Sequence, residues 1–409
     1  MKSSILTFFL SLILGTTFAH GATVNVGAGE NLQTAIDNAS AGDVIQLTAP
    51  GNYPGDLNIT KSISLRSLQR NYNTILGQVT VMNLQPEETV RFKNLSIPTK
   101  LNIIGSSVDI IRCDLNELNA TNPNGVDCQL TILQSNISAK LTSQLSHTWV
   151  GYSDLRENFF EGKVELVGND INGESLGGIG IDLVGENTHA NIHNNLIHHF
   201  SNKASIEECI GIRIDANASA TIRNNHIYSN INHELRINLY YQTGIGILVK
   251  STKNTLIEAN SFSDNIVSYY GYQGTKIGSL NIYTHSDRVS ITRNAFKYND
   301  NFVTEVRPLG VFGVSPHESI TNTTLNDTAF LSSTTGLALN QDSQNAGPPD
   351  PIHFDHDGSR NDIGANGGRN YIPDGRTTDK PIPIFFSLAP QAVPIGGTVT
   401  IESTGATVK

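Results

Sequence analysis

Cysteine, methionine and tryptophan are nearly missing: 409 residues hold three Cys, two Met and one Trp. Three cysteines without a CxxC spacing exclude a disulfide-stapled scaffold and a cysteine-based zinc site. Cys113 and Cys128 could pair in an oxidising compartment and leave Cys209 over, or all three could be small buried side chains. Charge is also scarce, at 16%, and 27 Lys+Arg against 37 Asp+Glu leave a net −10. A nucleic-acid binder needs a basic face to displace phosphate counterions, so no nucleic-acid partner is expected. Beyond the N terminus no apolar run reaches the ~20 residues needed to span a bilayer, so no transmembrane segment is expected. Asn, Ser, Thr and Gly are plentiful instead, as in extracellular β-rich proteins.

The N terminus accounts for the compartment. Met1 and Lys2 precede "ILTFFLSLILG" and the small-residue exit "TTFAHGA". A basic start, a short apolar core and small residues make a secretory signal peptide, residues 1–22, with cleavage after Ala19 or Ala22. A secreted or cell-surface location follows.

The main signal is an internal repeat. "ATIRNNHIYSN" contains Ile222, Asn225 and Ile227. The same Ile–x–x–Asn–x–Ile phrase returns at Leu166/Asn169/Ile171, Ile192/Asn195/Ile197, Ile257/Asn260/Phe262 and Ile291/Asn294/Phe296. Weaker copies lose the Asn: Phe92/Leu95/Ile97, Ile110/Cys113/Leu115 and Ile132/Ser135/Ile137. A spacing of 18 to 35 residues argues against propeller blades or leucine-rich repeats and fits a coil with loops of variable length at one corner. About ten residues before each strong copy stands a second alternating strand: "GIGIDLV", "GIRIDAN", "GIGILVK" and "GSLNIYT". Each turn then holds two or three short strands paired in parallel with the next turn. The Asn would sit at a corner, tolerate a left-handed backbone and hydrogen-bond its counterparts one turn away.

This pattern resembles the parallel β-helix repeat of the pectate-lyase-like superfamily over residues 23–340. The resemblance implies an all-β, right-handed parallel β-helix. "VGAGENLQTAIDNASAGDVIQLTAPGNYPGDLNITKSISLRS" is similar to the opening of such proteins, where an amphipathic helix, here with Leu32, Ile36 and Ala39 on one face, caps the solenoid. "SQNAGPPDPIHFDHDGSRNDIGANGG" (343–368) resembles a tail called choice-of-anchor Q, which makes 341–370 a cap or anchor-type motif. Residues 371–409 read as a polar linker and one or two strands like the first piece of an immunoglobulin-like module, too short to close a sandwich.

Alternation places the candidate chemistry. With Ile181, Ile212, Ile247 and Leu280 facing inward, Asp182, Arg213, Leu248 and Asn281 face outward, followed two residues on by Val184, Asp215, Lys250 and Tyr283. Asp182 would neighbour Arg213, and Asp215 would neighbour Arg213 and Lys250. As catalytic residues, Asp182, Arg213, Asp215 and Lys250 could remove a proton beside a uronate carboxylate, or two carboxylates could hydrolyse a glycoside. As structural residues they would be surface ion pairs worth little each. The "WiDH" phrase of pectate lyases and the polygalacturonase set are missing, and "RID" at 213–215 is only a partial echo. Catalysis is therefore not carried over from either family.

Tyr240, Tyr241, Tyr269, Tyr270 and Tyr272, on insertions at one corner, and Tyr283 could stack on sugar rings. Trp149 reads as part of an earlier loop, and all these rings could instead fold down onto the solenoid. His193, His198, His199, His226 and His233 raise a metal site, with His198 or His199 near Tyr228, but no acidic ligand recurs at a fitting offset. "DHDGSRNDIG" carries Asp355, Asp357, Asn361 and Asp362; calcium is the one ion it suggests, against a tight turn, and the EF-hand order is not met. No cofactor is implied beyond that calcium reading. The expectation is a monomeric secreted or surface protein that binds extracellular polysaccharide or glycan. The alternative is a lyase or hydrolase acting on pectin- or alginate-like chains.

Overall fold

A computed structural model describes residues 21–174, 178–200, 209–232, 244–271, 274–279, 281–284, 286, 288–297, 311–313, 320–325, 343–389 and 400–406. The chain winds into a right-handed parallel β-helix, with 31 of the described strands joined in one continuous sheet. Each full coil has three strands. One coil runs Ser219–Arg223, His226–Tyr228 and Gly244–Val249, and the coil before it His189–His193, Leu196–His198 and Cys209–Ile214. Strands of successive coils pair in parallel and in register, as in Ile192↔Ile222↔Ile257↔Ile291.

Register turns the alternating sequence into an apolar column. Leu166, Ile192, Ile222, Ile257 and Ile291 are fully buried, and so are Ile181, Ile212 and Ile247 on another wall. Each such side chain gains about 1.5–3 kcal/mol from burial. The helix Leu32–Asn38 begins at Asn31, whose side chain accepts from the Thr34 N–H at 3.0 Å. It buries Leu32 and Ile36, with Ala39 just beyond it, over the first coils as the spacing predicts.

The asparagine column forms the expected ladder. Asn169, Asn195, Asn225, Asn260 and Asn294 are linked Nδ2 to Oδ1 at 2.9–3.0 Å. Each Oδ1 also accepts the backbone N–H of the coil before, as in Asn195 N to Asn225 Oδ1 at 3.0 Å. Ser153, Ser135 and Cys113 continue the column with hydroxyl acceptors and a final N–H. The left-handed residue, however, is the one before each rung: Arg112, Gln134, Tyr152, Asn194, Asn224, Ala259 and Arg293 have φ between 48° and 60°. The rung residue must turn its amide inward, and the sharp bend falls on the residue that precedes it.

A second ladder lies five residues further on. The Phe200 N–H donates to Asn230 Oδ1, and Asn230, Asn265 and Asn281 are joined through their amides at 2.9–3.0 Å. Gly211 and Gly246 stand opposite it, where a Cβ would lie 3.1 and 3.2 Å from the Asn230 and Asn265 Nδ2 atoms.

One coil escapes the sequence pattern: Val150, Ser153 and Leu155 form a rung between Ile132 and Leu166. Trp149 accordingly belongs to the strand His147–Gly151 and is buried with Ile111, Leu133, Tyr152, Val167 and Ile382, not displayed on a loop. Cys113 and Cys128 are both buried and unbridged. Burial pushes the Cys113 thiol up to about 12, out of reach of thiolate chemistry. The signal-peptide stretch 1–20 lies outside the described residues.

Candidate functional site

Two outward faces carry candidate chemistry. The first is the one built around Asp182. Its strands are Gly178–Leu183, Cys209–Ile214, Gly244–Val249 and Ile282–Thr284. Asp182 pairs in register with Arg213, and the guanidinium grips the carboxylate with both Nε (2.8 Å) and an Nη (2.6 Å). Asp215 and Lys250 follow at neighbouring positions, and the Lys250 N–H donates to the Ile214 carbonyl at 2.8 Å. No ion pair joins these two among the described residues; the Asp215 carboxylate accepts from the Ala216 N–H.

The fourth strand shifts the expected register. Ile282, not Leu280, pairs with Ile247, so Tyr283 stands beside Leu248 rather than Lys250. Leu280 and Ile282 fall on the same face of the "GSLNIYT" alternation, so the pattern fits either register, and pairing with the preceding coil selects one. Tyr283 packs with Leu248, Ile210, Ile245 and Ile179 in a small apolar patch. Tyr240, Tyr241 and Tyr272 lie outside the described residues, as does His233. Tyr269 and Tyr270 fall in the strand Ile266–Gly271, which pairs with Gly274–Ser279.

The second face lies over the strands Lys163–Val167, His189–His193, Ser219–Arg223, Thr255–Glu258 and Val289–Lys297. Two outward columns run across it: Glu165, Asn191, Thr221, Leu256 and Ser290, and beside it His193, Arg223, Glu258 and Thr292. A depression of about 770 Å³ is floored by His189, Asn191, Ser219, Thr221, Leu256 and Ser290, with Arg288 at its side. A second one, of about 290 Å³, shares Asn191 and Thr221 with the first and continues over His193 and Arg223. Together they form one groove whose lining mixes amide, hydroxyl and imidazole groups with apolar surface in nearly equal measure.

Its charged groups are matched across coils. His193 Nε2 lies 3.3 Å from Glu165 Oε1. Arg223 donates from Nε (3.1 Å) and Nη2 (2.9 Å) to Glu258 and places Nη1 3.4 Å from His353 Nδ1. Burial, then the Arg223 charge, pushes the His353 pKa below its ordinary value. At neutral pH the ring is therefore neutral and accepts at Nδ1. Sequence reasoning listed His193 but missed Glu165, Thr221, Arg223, Glu258 and His353. The signal was available for the first four, at the outward positions of the very repeats that define the fold.

The outer wall of the smaller depression comes from the C-terminal segment, through Ile352, His353, Asn361, Gly368, Arg369 and Asn370. The other histidines make a separate group on the short-strand face. His198 stacks on Tyr228 with ring centroids 4.6 Å apart, as the columns predicted, and its Nε2 meets Asp170 at 2.7 Å. The expectation that no carboxylate stands at a fitting offset is thus corrected for both His193 and His198: the acid comes from the preceding coil. His226 bonds Ser261 at 2.6 Å, and burial drives its pKa to about 3. Among the described residues no three His, Cys, Asp or Glu converge as a metal set. In the calcium-like stretch, Asp357 accepts from Ser359, Asp362 from the Asn345 N–H, and Asp355 from the Gly368 and Asp362 N–H groups. No helix among the described residues is long and apolar enough to cross a membrane.

No family model and no curated protein matches the chain. Among solved structures it is similar to one described as "Structure of PL6 family alginate lyase AlyGC", at 14% identity and TM-score 0.31, covering 77% of this chain and 53% of that one. It thus spans about half the length of that protein. It is also similar to "a new PL6 alginate lyase complex with trisaccharide", at 12% identity and TM-score 0.36, covering 87% of this chain and 96% of that one. The β-helix rests on the strand pairing described above, and no chemistry follows from likenesses at these TM-scores.

Proposed function

We propose that the protein binds an extracellular polysaccharide in the groove over the His189–His193 and Ser219–Arg223 strands. The observation that carries this is the pair of adjoining depressions joined at Asn191 and Thr221. Their combined floor offers amide, hydroxyl and imidazole groups to a hydroxyl-rich chain, and Leu256 adds an apolar patch for a ring face. The depression spans four coils, about 14 Å at the usual strand spacing, so it suits several linked sugar units better than one small molecule. Secretion and surface display are consistent with the N-terminal sequence and belong to the same proposal.

Cleavage is the second reading. It is favoured by basic and acidic groups side by side, Arg223 with Glu258 and His193 with Glu165, on the groove floor, and by Arg213 with Asp182 on the other face. Purified protein is tested against polygalacturonate, alginate and a neutral glucan, with binding read by co-sedimentation and cleavage by absorbance of unsaturated products and new reducing ends. The binding reading expects retention of at least one polysaccharide, lost on Thr221→Trp and kept on Lys250→Ala. Product formation abolished by Lys250→Ala would replace it with catalysis on the Asp182–Arg213–Asp215–Lys250 face. Binding untouched by Thr221→Trp would remove the groove.

A further inference from the structure

The residues at the left-handed corner positions stand outside the main apolar core, and Asn194 meets the His193 ring at 3.3 Å with its Oδ1 while its Nδ2 faces outward. The C-terminal segment bonds to them one after another. Asn194 Nδ2 donates to the Ala365 and Gly367 carbonyls at 2.8 and 2.7 Å. Asn224 exchanges amide hydrogen bonds with Asn361 at 2.8 and 3.1 Å and donates to the Asp362 carbonyl. The Ala259 carbonyl accepts from the Gly364 N–H at 2.8 Å. Further back, Gln134 donates to the Gly375 and Thr378 carbonyls, Tyr152 to that of Asn370, and Arg112 pairs with Asp379. Arg376 pairs with Asp154, next to the Ser153 rung. Ile382 then closes the apolar patch around Trp149.

So one column of strained corners serves as the dock for residues 361–379, and the docked chain supplies the outer wall of the smaller depression. We propose that this depression is a sugar-binding subsite that exists only while the C-terminal segment is docked, with His353 and Arg369 contacting the ligand from that wall. Arg369 donates to the Pro351 carbonyl at 3.2 Å and lines the depression, and His353 receives Arg223 across it. The proposal rests on the groove reading and gives the motif 343–368 a role as part of the site. Binding and docking are then coupled, and each strengthens the other by the same factor.

The test uses the full chain and whichever of polygalacturonate, alginate or neutral glucan the wild type retains. Asn194→Gly with Asn224→Gly removes both docking amides and keeps a residue at ease with positive φ. It should speed hydrogen exchange of the Gly364 N–H at least tenfold, leave the Asn195 and Asn225 rung N–H groups unchanged, and weaken binding at least tenfold. His353→Ala with Arg369→Ala should weaken binding similarly without speeding exchange. A freed segment with wild-type affinity overturns the proposal and leaves the groove reading standing, as does full binding by the His353/Arg369 variant. A wild type that retains none of the three removes both.

Discussion

The two outward faces belong to the same coils and differ in how their charges are spent. On the Asp182 face, one arginine and one carboxylate satisfy each other at both ends, and Leu248 and Tyr283 turn the next positions apolar. On the groove face Arg223 holds Glu258 with two donors as well, but its third nitrogen reaches His353 and the column beside it is uncharged: Asn191, Thr221, Leu256 and Ser290. A bidentate pair is a strong clamp on either face, so what separates the faces is the column next to it, apolar beside Arg213 and mostly polar and open beside Arg223. The comparison teaches that, on a β-helix, the density of ionisable residues is a weaker guide to a site than the space the next wall leaves above them.

The largest expected effect is on the clamp. Arg213→Ala leaves Asp182 nearly buried without its guanidinium and should cost about 3 kcal/mol of stability by urea unfolding, with polysaccharide binding of the folded fraction unchanged. A loss of binding there would erase the distinction between the faces. Arg223→Ala should cost a similar amount of stability, about 3 kcal/mol, because Glu258 is enclosed as closely as Asp182, but here at least a tenfold loss of binding should accompany it.

The short-strand face between them gives a pH test. His226 is neutral and buried, with its pKa held far below the unfolded 6.5, at about 3. The unfolded chain therefore binds more protons below 6.5, so stability contributed by this group is full above that pH and falls as pH drops toward 3, by at most about 1.4 kcal/mol per unit. Unfolding midpoints measured from pH 7 to 4 should show that slope, flattened in His226→Gln. An unchanged slope would move the acid sensitivity to other groups. The smallest effect belongs to an exposed pair on the earlier coils. Lys100→Ala breaks the 2.7 Å contact with Glu117 and should shift stability by no more than about 0.5 kcal/mol by the same measurement.

How much was legible can be read from single residues. Asn225 was found because a buried amide that must be satisfied in every coil recurs with the coil. Its neighbour Asn224 was not singled out, although it bears the strain and the dock, because Arg112, Gln134, Tyr152 and Ala259 do the same job with unrelated side chains. Asn230 stood in plain view in the phrase "NNHIYSN", yet its ladder is short and its first rung is Phe200, so no period announced it. The coil at Val150, Ser153 and Leu155 was overlooked, although the serine copy at Ser135 was recognised, because the stretch around Trp149 read as a loop. Tyr283 was misplaced because strand alternation has a period of two, so a slip of two residues keeps every side chain on its face and leaves no mark in the pattern.

The β-helix, its polar rungs, its capping helix and the outward place of Asp182 and Arg213 were all determined by the sequence alone, because burial and hydrogen-bond satisfaction repeat locally with every coil. Which face offers a groove was decided only by tertiary structure. His353, Arg369 and Asn361 meet the coils across more than a hundred residues of chain, through contacts to backbone carbonyls and corner amides that leave no periodic trace, and a cavity is the space between two such surfaces rather than a property of either one.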